Sequence, residues 1–503
     1  MPPSLSTTTT AAAFAASTSS ALLYSYSLVL LLLLSIHSSS ASSKHWKQWS
    51  CDQLTPNLCE LQVESGSVVI QSIPVHYWRY SRVKESNEPP VTAATTTTNS
   101  SSISHSIIAL HGGPGWPHSY LLPLKQLACR GDTAEVIFYD QAGCGKSVPS
   151  TTTNASTTTT TSSFQDQYPH LLDPAYYSEI ELPTLIDHWK LHRYHVLGHS
   201  WGTILAQMFA LNYNINQHST KHTTATKNNN NNDDDDNDKR GKLHSNQKVG
   251  GAGGGLQSLI LSGPISNAKA YISAQWDAHD TNNLASLPPF IQYRIHALED
   301  AAAYDTPEYK AIEAVLSTFF TMRTNPVPDC FEESVVGVNE GIYVGMQGAS
   351  EFTISGVLGD LDLTPRLHEL TIPVLLTHGK FDTMRPSTVK AIQDQIPISE
   401  RVMFPHSGHV SMIDDAGLMN DVVASFIHRV EEGGDIGGER NNEVVGVVVG
   451  EAAVATDSTV AKSTTLCRHS WSWIKVVIAF LAGFLIGELK IGRRRTRDGY
   501  TSV

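Results

Sequence analysis

Basic charge is in short supply in this chain. Its 503 residues carry 35 Lys and Arg against 48 Asp and Glu, a formal charge of -13. That balance excludes nucleic acid as the main partner. Cysteine is scarce, six in all, and none has the Cys/His spacing of a metal site, so neither metal nor cofactor is expected. Cys51 and Cys59 are close enough to close a small loop in an oxidising compartment; Cys129, Cys144 and Cys330 read as buried free thiols. Long uninterrupted apolar runs are also missing. "ALLYSYSLVLLLLLSI" at 21–36 is short and lacks a basic flank, so residues 1–43 read as a signal peptide or signal anchor. The run at 471–492 is broken by Lys475 and Glu488, but the Arg cluster behind it argues for a single transmembrane helix. On that reading 493–503 is a cytosolic tail and the catalytic body is luminal or extracellular.

Three polar tracts, at 85–104, 151–163 and 214–255, contain too few apolar residues to build a core and are read as loop inserts. The first two hold the glycosylation sequons at Asn99 and Asn154. Between the tracts, strand-like apolar runs such as "SIIAL", "AEVIFY", "YHVLG", "LQSLIL" and "IPVLLTHG" alternate with helical patterns. Continuous apolar strands separated by helices imply a mostly parallel sheet covered on both faces, an α/β fold. From 265 to about 365 the strand pattern gives way to helices punctuated by proline, a helical cap inserted into the sheet domain. The core is therefore expected at 44–264 and 366–431, with a linker at 432–470.

"GHSWGT" sets Ser200 between Gly198 and Gly202 at a strand-to-helix turn. Such a turn projects the hydroxyl clear of the backbone, and the helix N-terminus supplies unpaired N–H groups. A lone Gly-x-Ser-x-Gly is weak evidence, so its companions matter. Asp382 follows the strand of "LLTHGKFD", and His409 follows the one in "RVMFPHSGH". Serine, acid and histidine thus occur in chain order at strand ends, which suits a nucleophile, an orienting carboxylate and a general base. His199, His378 and His111 read as structural; His406 competes with His409 and is the less favoured. "HGGPG" adds an oxyanion hole in which the Gly113 and Trp201 N–H groups are the donors.

Together "HGGPG", "DQAGCGKS", "GHSWGT", "LILSGP", "GKFD" and "SGH" resemble the proline iminopeptidases of the α/β-hydrolase fold, over about 68–430 apart from the inserts. The resemblance implies Ser200, Asp382 and His409 as the catalytic residues. It also implies that Glu351, in "MQGASEF", binds the free amine of the substrate, with a second acid among Glu299, Asp300 and Glu313. The activity implied is a serine aminopeptidase that releases N-terminal residues, preferably proline, from short peptides whose length the cap limits. An amino-acid amidase, a small-molecule esterase and a non-catalytic membrane-tethered binding protein remain alternatives.

Overall fold

The computed structural model describes residues 49–83, 104–149, 167–224 and 255–436. Residues 1–43, the polar inserts for most of their length, both sequons, and 471–492 lie outside the described residues.

An eight-stranded sheet runs through the molecule. Its strands are β1 (Leu61–Ile70), β2 (Ile73–Arg82), β3 (His105–Leu110), β4 (Thr133–Tyr139), β5 (Arg193–His199), β6 (Gly255–Ser262), β7 (Val374–Gly379) and β8 (Ser399–Phe404). Their order is β1-β2-β4-β3-β5-β6-β7-β8. β1 and β2 form an antiparallel hairpin, and β2 pairs antiparallel with β4. The hairpin turns at Gln71 and Ser72, both at positive φ, as a tight two-residue connection requires. The remaining strands are parallel, so all of them from β3 to β8 end on the same rim.

Side-chain alternation divides the core between the two faces. Ile108, Leu110, Tyr194, Val196, Val374 and Leu376 belong to one buried cluster. Their neighbours Ile107, Ala109, Leu197 and Leu375 belong to the other. Every second residue faces opposite sides of a strand, so a strand buried on both sides must be apolar throughout. Helices α1 (Leu182–Trp189) and α2 (Trp201–Thr224) precede β6. Five more stand between β6 and β7: α3 (Ala268–Gln275), α4 (Pro289–Asp300), α5 (Pro307–Phe320), α6 (Asp329–Val336) and α7 (Glu340–Met346). Ile291, Ile295, Leu298, Ile312, Leu316 and Phe320 form a separate small core there with Phe352. α8 (Pro386–Gln393), α9 (Ser411–Asp414) and α10 (Ala416–Glu431) complete the chain as described.

Two sequence-based expectations are corrected. The cysteines pair as Cys51–Cys330 and Cys59–Cys129, with Cα separations of 5.9 and 5.6 Å, and Cys144 is the buried free thiol. Neighbours in sequence did not pair because the segment carrying Cys51 and Cys59 lies across the body. There Cys51 N–H reaches Asp329 Oδ1 and Leu58 N–H reaches Gln126 Oε1. The single-pass membrane anchor and the luminal placement drawn from it are also corrected: among the described residues, which do not include 471–492, no helix is long and apolar enough to cross a membrane. The physical weakness was already in the sequence. The charge-free stretch Val476–Gly487 between Lys475 and Glu488 falls well short of the roughly 20 apolar residues that a bilayer requires.

Candidate active site

Ser200 lies between β5 and α2 at φ +56, a left-handed conformation costly for any residue with a Cβ. Its surroundings enforce it. The Ser200 N–H donates to the Ser262 carbonyl (3.0 Å), and its own carbonyl accepts from Thr203 N–H (2.8 Å) and Thr203 Oγ1 (2.6 Å). The flanking glycines are steric necessities. A Cβ at Gly198 would lie 2.2 Å from the Gly202 carbonyl oxygen, and one at Gly202 would lie 2.3 Å from that of Leu110. Gly112 abuts Ser200 from the end of β3, since a Cβ there would stand 2.8 Å from Ser200 Cβ. Gly113 follows at φ +93, packed on the Trp116 ring. Trp201 opens α2, buried, and its indole N–H donates to Gln141 Oε1 at 2.8 Å.

Asp382 is fully buried just beyond β7. Its Oδ1 accepts from Met384 N–H (2.9 Å) and from His409 Nδ1–H (2.9 Å). Burial pulls the His409 pKa down, but the charge and hydrogen bond of Asp382, helped by the charge of Glu351, outweigh it and hold the pKa above its ordinary value. Its Nε2 is buried with no hydrogen-bond partner among the described residues. The rival His406 is exposed. Arg385, 2% exposed, fastens the Asp382 turn. It makes a two-pronged pair with Asp280 (2.9 and 3.1 Å) and donates to the Asp382 carbonyl (2.9 Å). Removing one partner of so buried a pair costs about 3–5 kcal/mol.

The loop that carries His409 is bonded to the end of α5. His409 N–H donates to the Phe320 carbonyl (2.7 Å) and Val410 N–H to that of Thr321 (2.9 Å), both at the C-terminal end of α5. Asp414 Oδ1 then accepts from the N–H groups of Arg323 (2.9 Å) and Thr324 (2.8 Å).

Sequence reasoning missed several supporting residues. The Tyr120 hydroxyl accepts from Gly112 N–H (2.7 Å) and so gives its own proton to His199 Nδ1 (2.7 Å). That leaves His199 protonated at Nε2, which donates to the His409 carbonyl at 3.0 Å. Burial holds the His199 pKa far below its ordinary value, so the ring stays neutral. It stacks against His409 with centroids 4.5 Å apart. One neutral chain thus links the glycine strand end to the backbone of the imidazole, and His199 fills the turn as expected of it. Gly263 at φ +59 is the other omission: a Cβ there would meet His409 Cε1 at 2.6 Å. Only a glycine after "LILS" hinted at it. His111 accepts from Gln141 N–H (2.9 Å), and burial pulls its pKa down to about 4; His378 is likewise buried and pulled to about 4.

Glu351 follows α7. Its Oε2 accepts from the Tyr343 hydroxyl (2.7 Å), its carbonyl accepts from Tyr271 (2.8 Å), and its N–H donates to Glu313 Oε1 (3.2 Å). Burial raises the Glu351 pKa against the opposing pull of His409. Glu313 and Glu299 are raised by burial as well. Glu299 accepts from the Tyr309 hydroxyl (3.0 Å), which also reaches Ser350 Oγ (2.6 Å). Of the candidate second acids, Glu313 touches Glu351 directly, Glu299 approaches through Tyr309 and Ser350, and Asp300 acts on Glu299 through its charge.

A model of the alpha/beta hydrolase family matches residues 107–422, more than half of the chain. The proline iminopeptidase of Heyndrickxia coagulans is 30% identical over 325 residues, covering 64% of this chain and 91% of its own length. That of Saccharolobus solfataricus is 25% identical over 371 residues, covering 74% and 94%. Among solved structures, the Mycobacterium smegmatis proline iminopeptidase is alike in fold, with a TM-score of 0.53 at 24% identity over 74% of this chain and 99% of that one. With a family model matched over more than half of the chain and a relative matched along nine-tenths of its length, the chain belongs to the alpha/beta hydrolase family and, within it, to the proline iminopeptidases.

Proposed function

We propose that this protein is a serine aminopeptidase that releases an N-terminal residue, preferably proline, from short peptides. His409 takes the Ser200 proton as the hydroxyl attacks the scissile carbonyl. Asp382 fixes the tautomer of the imidazole and stabilises its positive charge. The N–H groups of Gly113 and Trp201 receive the developing oxyanion. His409 then protonates the leaving amine, and water attacks the acyl-enzyme in the reverse sense.

Glu351 makes this an exopeptidase. Its carboxylate holds the free ammonium of the first residue, which fixes how far the chain enters and rejects blocked termini. Glu313, whose carboxylate reaches the Glu351 backbone, is the best placed second acid. The observation that carries the reading is the pairing of a buried Asp382–His409 couple with a glutamate whose charge bears on the same imidazole.

Kinetics on prolyl and N-acetylprolyl naphthylamides test it. Wild type should turn over only the free amine. Glu351→Ala should lower kcat/KM on it by about 30-fold or more, since truncating one member of an enclosed charge pair costs about 2–5 kcal/mol. Equal turnover of the acetylated substrate by wild type would refute the aminopeptidase in favour of an amidase or esterase. Failure of a fluorophosphonate to label Ser200 would refute the enzyme altogether.

A further inference from the structure

At the opposite end of the strands, three side chains far apart in sequence converge. His105 opens β3, His195 is the third residue of β5, and Glu431 ends α10. Among the described residues, the buried His105 Nδ1, His195 Nε2 and Glu431 Oε1 each lack a hydrogen-bond partner. The ligand atoms of this group lie within 4.8 Å of one another. His195 Nε2 and Glu431 Oε1 are 3.0 Å apart, without the alignment of a hydrogen bond. Two imidazole nitrogens and a carboxylate oxygen form a donor set suited to zinc and its neighbours.

The other polar atom of each group is already engaged. His105 Nε2 meets Thr133 Oγ1 (3.0 Å), His195 Nδ1 meets Ser258 Oγ (2.7 Å), and Glu431 Oε2 accepts from Arg193 Nε (2.7 Å). Outer partners of this kind set the tautomer and aim the remaining atom at a metal. We propose that His105, His195 and Glu431 bind a divalent first-row cation, zinc in character, that pins α10 to the start of β3 and β5.

The spacing requires only a small adjustment. Zinc bonds of about 2.0–2.1 Å in tetrahedral geometry put ligand atoms about 3.3 Å apart, close to the His195–Glu431 separation. His105 closes the rest by turning about its side-chain bonds. The side chain of Glu431, 14% exposed, is the part of the group nearest to solvent. The Arg193 guanidinium opposes the cation, so micromolar affinity is expected rather than that of thiolate-rich sites. An ion pair of His195 with Glu431 alone accounts for two of the three orphaned atoms and leaves His105 Nδ1 unexplained.

The test is independent of the reaction proposed above. Full-length protein, stripped by chelation, is titrated with Zn(II) and with Co(II) alongside His105→Asn and Glu431→Gln. Wild type is expected to bind one more equivalent of Zn(II) than either variant, with a Tm rise of several degrees that both variants lose. Co(II) should give weak visible bands without the intense thiolate charge-transfer band that binding at Cys144 would produce. Equal Zn(II) stoichiometry in all three proteins, or a wild-type Tm that Zn(II) leaves unmoved, overturns the proposal. Should His105→Asn fail to fold, Glu431→Gln at the end of a helix decides alone.

Discussion

Two histidine–carboxylate pairs stand at opposite ends of the same sheet. His409 and Asp382 are 2.9 Å apart; His195 and Glu431 are 3.0 Å apart. Yet the His409 pKa rises and the His195 pKa falls. Burial pulls both rings down, so the difference lies in what answers it. Each carboxylate raises its own ring, but at His409 Glu351 adds a second negative charge. Glu431 spends one oxygen on Arg193, whose own charge also disfavours a protonated His195. The same two residue types therefore make an imidazole stabilised on protonation at one end and one favoured in its neutral form at the other. Distance within the pair does not decide the behaviour; the third charge does.

The contrast breaks most visibly on removing the carboxylate charge. Asp382→Asn should lower kcat by about 10⁴-fold, since the wrong tautomer is then favoured, whereas Glu431→Gln should leave kcat unchanged. Equal losses would mean that the two pairs are not functionally distinct. A smaller effect sharpens the role of the third charge. The acid limb of kcat/KM reports His409 and should lie above the ordinary histidine range; Glu351→Gln removes a raising charge and should move that limb to lower pH. A limb that stays put would show that Asp382 acts alone. At the other end the readout is stability. Glu431 is pulled up by burial but held down to about 2 by His195 and Arg193, from 4.5. A depressed carboxylate contributes stability above its unfolded pKa and loses it as pH falls toward the folded value. In chelated protein, Tm should therefore drop between about pH 4.5 and 2, and Glu431→Gln should flatten that drop. A further stability effect concerns Glu181, fully buried with Oε2 on the Ala142 N–H (2.8 Å) and raised by burial from 4.5 to about 8. Its sign is opposite: stability present below pH 4.5 is lost as pH rises through about 8. Glu181→Gln should keep Tm level over that interval, and a slope equal to wild type would remove Glu181 as its source.

What could be read from the sequence was local. The alternation of apolar strands with helices gave the parallel sheet, because a strand buried on both faces has no polar positions to offer. The Ser200 turn was visible because two glycines are sterically required around it. Asp382 and His409 could be named because each follows a strand, and strands in one parallel sheet end on one rim. Pairings fixed by packing across the fold left no such mark. Cys51 meets Cys330 over 279 residues; Tyr120 and Gly263 reach the site through contacts that no spacing encodes. The group at His105, His195 and Glu431 was invisible for the same reason. The membrane reading leaned on the Arg cluster behind 471–492, which does not lengthen the stretch free of charge.

The backbone of His409 is held by the last carbonyls of α5, so the roof of the proposed cleft and the proposed base share a joint. A peptide too bulky to be enclosed must lift that roof, and lifting it drags the imidazole out of line. Oversized substrates should then be recognised as well as small ones but processed slowly. A ladder of prolyl peptides of growing length would reveal this as falling kcat at steady KM, a molecular ruler that reads size through timing rather than through grip.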